Sequence, residues 1–133
     1  GADFAITQVF FETERYSGLV DAAHLAGVQM PIIPGIMPVT SLTRLTKLCE
    51  LAGLEVPREL AHRLETASDP RELHRIGVEH ALDQCRKVLD AGAPGLHFFT
   101  FNEHEAVLDV LEELDVPRYS NRFKLPLSDL QYL

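Results

Sequence analysis

The sequence predicts an α/β fold built from parallel βα units, and three apolar runs carry that prediction. Each run is short, continuously apolar and bounded by turn residues; they occupy residues 5–11, 31–38 and 95–102. Runs of this kind are typical of strands buried on both faces, as in a parallel sheet covered by helices. An amphipathic helical pattern follows each run, so the predicted order is βαβαβα, as in a barrel or a doubly wound sheet.

The helical patterns have recognisable ends. Helices are predicted over residues 13–26, 40–52, from about 57, over 70–91 and over 103–114. Thr40 and Asp69 are the expected N-caps of the second and fourth, and Glu72 is expected to reach back as in a capping box. Glycines 27, 53 and 92 are the expected stops. Residues 117–133 have weak periodicity, so the sequence predicts a folded region over 1–116 and a tail of unknown structure.

Composition limits the class of protein. The chain has 20 acidic and 12 basic residues and a net charge of −8, without a basic cluster, which argues against a nucleic-acid partner. No apolar stretch approaches the roughly 18 residues of a membrane span, and no secretory signal pattern is present, so the expected location is the cytoplasm. Cys49 and Cys85 lack a metal or redox spacing and are expected to be buried, and no histidine pattern predicts a metal site.

The three strand motifs also carry a family resemblance. ITQVFF (6–11), IIPGIMP (32–38) and GLHFFTFN (95–102) resemble, in this order, the last three strands of methylenetetrahydrofolate reductases, whose motifs run ITQxFF, IIPGIxP and GLHFYTLN. That family has flavin-binding (βα)8 TIM barrels. The resemblance therefore implies a partial TIM barrel, about strands 6 to 8.

Chain length bears on what the resemblance implies. A TIM barrel typically needs about 250 residues, so 133 residues are expected to be the carboxy-terminal part of one. The start at Gly1, within a turn of the family pattern, favours truncation; a partial gene, a processed fragment and a deliberately shortened chain fit equally well.

The family reaction passes a hydride from NADH or NADPH through FAD to 5,10-methylenetetrahydrofolate, giving 5-methyltetrahydrofolate. The general acid and most FAD-binding residues of the family lie upstream of the matched segment. The resemblance thus implies no catalytic residue in this chain and no activity of the chain alone. One alternative is a non-catalytic fragment or companion subunit that pairs with another barrel segment. A different barrel enzyme with convergent strands is disfavoured, because three motifs match in register.

Gln8 is the sharpest candidate for a site residue. It is a primary amide amid apolar neighbours near a strand end, and an amide offers both a donor and an acceptor to a heterocyclic edge. The residues alone favour a core amide bonded to backbone, since most side-chain hydrogen bonds go there or to water. The resemblance favours a substrate contact, because the matching Gln in the family contacts folate.

The residue after the third strand motif differs in charge from the family motif. The family motif continues with an Arg that meets the carboxylates of the folate tail, whereas this chain has Glu103, which would repel them. Arg44, where some relatives have a Gln near the substrate, is a candidate compensator; the alternative is a solvated helix face. Phe99 and Asn102 belong to the same motif and complete the expected substrate site, with Phe99 keeping a flat ring surface where Tyr is common.

The second predicted strand contains a proline followed by a glycine. Pro34 and Gly35 interrupt it with a missing N–H and a missing side chain, which predicts a bend or the close approach of another group.

Overall fold

The computed structural model describes residues 1–101 and 103–115, which form three strands and five helices. In chain order they are β1 (Ala5–Val9), α1 (Thr13–Leu25), β2 (Ile32–Ile36), α2 (Leu42–Ala52), α3 (Arg58–Thr66), α4 (Pro70–Asp90), β3 (His97–Phe98) and α5 (Glu105–Glu113). The strands form one parallel sheet in the order β1-β2-β3. The predicted α/β class with parallel βα units is confirmed.

All three strands are shorter than the apolar runs that predict them. β3 is the extreme case, since it has two residues where the run has eight. Phe99 N–H still donates to Ile36 O (2.9 Å), but Phe101 has a φ of 45° and Glu103 N–H closes a turn onto Thr100 O (2.8 Å). A continuous apolar run indicates burial and not strand pairing: Phe10, Phe11 and Met37 are buried beyond the ends of β1 and β2, whereas Phe101 at the end of the third run is exposed. The last helix accordingly begins at Glu105 and not at 103.

The N-cap of α2 is not the residue that the sequence predicts. Ser41, not Thr40, caps α2, and its Oγ accepts from Arg44 N–H at 3.4 Å. The hydroxyl of an N-cap bonds the N–H two or three residues on, and Ser41 stands at that distance from Arg44. The three predicted stops are confirmed, with positive φ at Gly27, Gly53 and Gly92.

The start of α4 is a modified capping box. Asp69 Oδ1 accepts from Glu72 N–H at 2.9 Å, which confirms the predicted N-cap. The Glu72 carboxylate reaches back to Ser68 instead of Asp69 and accepts from its backbone N–H and its hydroxyl, both at 2.8 Å. These hydrogen bonds from Ser68 lower the pKa of Glu72.

Two apolar clusters hold the described fold together. One packs the helix-covered face of the sheet against α1, α4 and α5, and its buried members include Phe10, Ile36, Val88 and Val110. The other joins the carboxyl ends of the strands to α2 and α3, and it contains Val9, Met37, Leu45, Cys49 and Leu60. Consequently α2 and α3 cover the end of the sheet where barrel sites form.

The long helix α4 is fixed closely to the strand ends. Gly77 allows the approach, because a Cβ there would lie 2.6 Å from Val39 O and 2.9 Å from Thr40 Cγ2. About two turns farther, the buried amide of Gln84 donates to Phe10 O, just past the end of β1, at 2.7 Å. Both contacts place α4 against the segments that leave β1 and β2.

None of the helices in the described ranges is both long enough and apolar enough to span a membrane.

Both cysteines are buried in the described core, as predicted. Burial raises the pKa of the Cys49 thiol, and it raises that of Cys85 to about 12. Because the thiolate is the reactive form, we expect neither thiol to react quickly with an aromatic disulfide reagent at about pH 8, where only about one Cys85 in ten thousand would be ionised. Both should react at once in denaturant. Rapid modification of one thiol in the native chain would contradict this packing.

Candidate functional site

A β-bulge at the carboxyl end of β1 builds the candidate site. Ile6 pairs with Ile33 and Val9 pairs with Gly35. Between these two pairs β1 advances by three residues and β2 by two, so β1 contains one extra residue. The Thr7 hydroxyl replaces a backbone carbonyl as the acceptor for β2, since its Oγ1 accepts from Gly35 N–H at 2.9 Å. The same hydroxyl donates to Gln8 O at 2.9 Å. Bulges re-aim side chains and are frequent beside active sites. Here the residue re-aimed is Gln8.

Gln8 is exposed and therefore not the buried core amide that its apolar neighbours suggest. Its Oε1 accepts from Val9 N–H at 3.1 Å, a contact that fixes the side chain at the strand end. Among the described residues, no group accepts a hydrogen bond from the two N–H donors of this amide. This arrangement suits recognition of an acceptor edge on a heterocycle, and the role of Gln8 in binding stays a prediction.

An apolar trough runs from Gln8 along one side of α2. Its inner part, about 170 Å³, is bounded by Gln8, Leu54 and Phe99, and its outer part, about 520 Å³, by Met37, Arg44 and Lys47. Leu48, Leu51 and Phe101 line both parts, which therefore adjoin. Leu51 is 76% exposed and Phe101 63% exposed, although both are large and apolar. Such a surface, with an amide at one end and cations at the other, is suited to a flat ligand that carries an acid.

Gly35 lies directly against Phe99, which lines the inner part of the trough. A Cβ there would lie 2.5 Å from Phe99 Cε2 and 2.6 Å from Thr7 O, so the predicted close approach of another group is confirmed. The Phe99 ring is also held edge-on by His97, with ring centroids 4.7 Å apart. The ring of Phe99 is thus locked between the strand backbone and a second ring.

Arg44 and Glu103 form an ion pair at the outer end of the trough. Arg44 Nη2 donates to Glu103 Oε1 at 2.6 Å, and Nη1 donates to Oε2, so the pair is bidentate. The side chains are 35% and 57% exposed. The guanidinium, by donating to the carboxylate, holds the pKa of Glu103 below its usual value. The two residues singled out in the sequence for opposite effects on an acidic ligand therefore contact each other.

Comparison with known proteins decides the family. The family model for methylenetetrahydrofolate reductase matches residues 1–115. The chain belongs to the methylenetetrahydrofolate reductase family. The three strand motifs that carry the resemblance lie within the matched region.

Curated methylenetetrahydrofolate reductases align over most of this chain. A probable methylenetetrahydrofolate reductase (NADPH) of Caenorhabditis elegans is 35% identical and covers 86% of the chain, which spans 18% of that relative. Methylenetetrahydrofolate reductase 2 of Saccharomyces cerevisiae is 33% identical and covers 99% of the chain, which spans 22% of it. The 5,10-methylenetetrahydrofolate reductase of Escherichia coli is 31% identical; 87% of this chain aligns, over 40% of that enzyme. The chain thus spans well under half of these relatives.

A solved structure supports the barrel architecture. An uncharacterized protein from Clostridium thermocellum that binds two copies of 5-methyl-5,6,7,8-tetrahydrofolic acid superposes with a TM-score of 0.50 at 16% identity. The match covers 84% of this chain and 42% of that one. Together with the three parallel strands, this fits a partial βα barrel of the methylenetetrahydrofolate reductase family.

The structure gathers four of the five predicted methylenetetrahydrofolate reductase site residues along the trough. Gln8 and Phe99 line the inner part, Arg44 lines the outer part, and Glu103 is bonded to Arg44. Asn102 lies outside the described residues. Sequence reasoning missed Lys47 and Leu51, although they follow Arg44 at i+3 and i+7 on one helix face; an exposed leucine on that face was the available signal.

A second concavity, of about 450 Å³, lies just past the end of β1, between the start of α1, α3 and α4. Its charges are largely paired already: Glu79 accepts from Arg63 and Arg75, each at 2.6 Å, and Asp83 pairs with Lys87 at 2.7 Å. His80 lines it, and burial lowers the pKa of His80. These contacts hold helices together and do not involve the trough residues.

Proposed function

We propose that this chain is a segment of an FAD-dependent methylenetetrahydrofolate reductase, in which it contributes residues of the folate site. The complete protein reduces 5,10-methylenetetrahydrofolate to 5-methyltetrahydrofolate with NADH or NADPH, and the chain alone does not turn over. Relatives named for NADPH and for NADH support a nicotinamide reductant. The cytoplasm is the proposed location.

One observation carries the proposal: the trough presents an amide, then ring surfaces, then cations, in that order. Gln8 stands at the inner end, Phe99 and Phe101 along the walls, and Arg44 with Lys47 at the outer end. A folate has the same order of chemistry, with a heterocycle, an aromatic ring and a carboxylate tail. In this role Gln8 binds the edge of the heterocycle and the two rings stack on the flat parts.

The residues described here do not by themselves fit FAD. The trough offers two cations, one of which is already bonded to a carboxylate, whereas the diphosphate of FAD needs Arg or Lys side chains or backbone N–H groups that are free to bind it. We therefore assign the flavin to other segments of the barrel and give this chain the tasks of binding and orienting the folate.

We expect the chain to purify without flavin colour. Co-expression with the amino-terminal barrel segment of the Escherichia coli relative should restore flavin absorbance and NAD(P)H-dependent folate reduction, because complementary strand edges complete the barrel. The amino-terminal segment alone is the control. Stoichiometric flavin on the 133-residue chain alone would contradict the proposal.

Within that assembly, Gln8→Ala should weaken folate binding by about tenfold, the cost of leaving a heterocycle hydrogen-bonding group unpaired. Gln29→Ala removes an exposed amide from the loop between α1 and β2 and is the matched control, expected to bind folate as the unchanged chain does. Isothermal titration of both variants measures the difference. Equal affinities would remove Gln8 from the site.

A non-catalytic companion segment is the second candidate function. Its support is the Arg44–Glu103 pair, which removes from the trough much of the positive charge that an acidic ligand requires. In that case the co-expressed assembly would bind flavin but would not reduce folate. The same experiment therefore separates the two candidates.

A further inference from the structure

We propose that Glu103 is a built-in competitor for ligand carboxylates on Arg44, and that it makes the trough select against ligands that carry several carboxylates. The inference rests on the proposed function, because it concerns the acidic end of the same folate site. It assigns Glu103 as a specificity-determining residue.

The geometry of the pair is that of an occupied carboxylate site. Both terminal nitrogens of Arg44 donate to the two oxygens of Glu103. This planar fork is the arrangement by which arginine recognises a free carboxylate, so a ligand carboxylate must displace Glu103 or use the remaining N–H groups. Because Glu103 belongs to the same chain, it competes at a high effective concentration.

The position of the ion pair indicates a role in discriminating between ligands, in addition to any contribution to stability. Arg44 lies in the first turn of α2 and Glu103 lies 59 residues later, just past the turn that follows β3. Arg44 lines the outer part of the trough beside the exposed ring of Phe101. More than half of the Glu103 side chain is exposed, so the carboxylate can leave Arg44 without any change in the buried core.

The local charge sets the direction of the selectivity. Arg44 and Lys47 supply two positive charges and Glu103 one negative charge, which leaves one net positive charge at this end within the described residues. Arg44 lowers the pKa of Glu103, so the carboxylate is ionised at neutral pH. A ligand with one carboxylate is therefore matched, while each further carboxylate meets no unpaired cation here and is repelled by Glu103.

The trough is made of this chain's own residues, so the test uses the 133-residue chain and needs neither flavin nor turnover. The probes are p-aminobenzoylglutamate, a dianion, and p-aminobenzoylglycine, which has the same ring and amide but one carboxylate. Ligand-detected NMR gives the dissociation constants and does not require a monomeric chain. Each variant is described by the ratio of its affinities for the dianion and the monoanion.

We expect Glu103→Gln to raise this ratio by about three- to tenfold at low salt, with the gain falling as salt rises. Glu103→Arg should raise it further. Arg44→Gln should lower the ratio, and adding Glu103→Gln to it should restore little, because the contested site is gone. Glu105→Gln, which removes one exposed charge two residues away, is the control and should leave the ratio unchanged.

An unchanged ratio in both Glu103 variants would overturn the inference, and so would a complete failure of either probe to bind any variant. A general charge effect would raise the ratio equally in Glu105→Gln and would also overturn it. The outcome is independent of flavin assembly: if the co-expressed barrel reduces folate while the ratio stays fixed, the proposed function stands and only the role of Glu103 falls.

Discussion

Replacing Gly35 by alanine should cost the chain about 3 kcal/mol of stability and lower its Tm by about 10 °C. The added methyl group would stand 2.5 Å from the Phe99 ring and 2.6 Å from the carbonyl oxygen of Thr7. The ring could rotate away, but the carbonyl is backbone and is fixed by the bulge that also holds Gln8. Relief therefore requires separation of β1 from β2. Thermal unfolding followed by circular dichroism measures the loss.

The matched control is Gly18→Ala, which adds the same methyl group in the interior of α1, where nothing lies within 4 Å. Alanine is a better helix former than glycine, so this variant should gain about 0.5 to 1 kcal/mol. Opposite signs for the two substitutions would establish that contact at Gly35, and not glycine replacement in general, sets the cost. A Gly35→Ala chain as stable as the parent would show that the strand ends are looser than described.

The lone chain should self-associate through the free edge of β1. The described sheet has β1 and β3 at its edges, and β1 is the longer, with unpaired backbone groups on one side. Phe4 and Ile6, which is 42% exposed, add apolar surface at that edge. Exposed edges of this kind pair with other strands. Light scattering should therefore report a mass above the 14.9 kDa of one chain.

Ile6→Lys should shift the chain toward monomer, because it removes apolar surface worth about 1.5 to 3 kcal/mol and adds the charge that natural edge strands use against pairing. This corresponds to a rise of roughly ten- to a hundredfold in the dissociation constant. Leu25→Lys is the control: Leu25 is 91% exposed, but it lies at the end of α1 and not on the edge. Equal effects of the two substitutions would indicate nonspecific apolar association, and a monodisperse parent monomer would refute edge pairing altogether.

Apolar runs and cap residues were sufficient to predict the fold class and the order of elements, since burial and capping act within a few residues of sequence. They were insufficient for strand ends. Phe10 and Phe11 extend the first apolar run, but packed helices bury them beyond the end of β1. Phe99 extends the third run and is partly buried, and one N–H bond to Ile36 O continues the ladder there. A run of apolar residues cannot distinguish these two kinds of burial.

The candidate site was predictable where one motif supplied both the residue and its position, as for Gln8 and Gly35. It was not predictable where two distant residues had to meet. Arg44 and Glu103 each carried a separate expectation, one as a cation for a ligand and the other as a source of repulsion. Their separation of 59 residues concealed that each is the other's partner, because side-chain pairing across elements depends on tertiary packing.

Helix α2 has its core residues and most of its trough residues on different sides. Leu45 and Cys49 face the core and are fully buried, while Arg44, Lys47 and Leu51 line the trough one residue or one turn away. Arg44, Lys47 and Leu51 are not members of that core, so substitutions at these three positions should leave its packing intact, whereas Leu48 lines the trough and also packs against the core. Under the proposed function, single substitutions at these three positions would change which acidic ligands the trough binds while the stability of the fold is kept, both in evolution and in protein engineering.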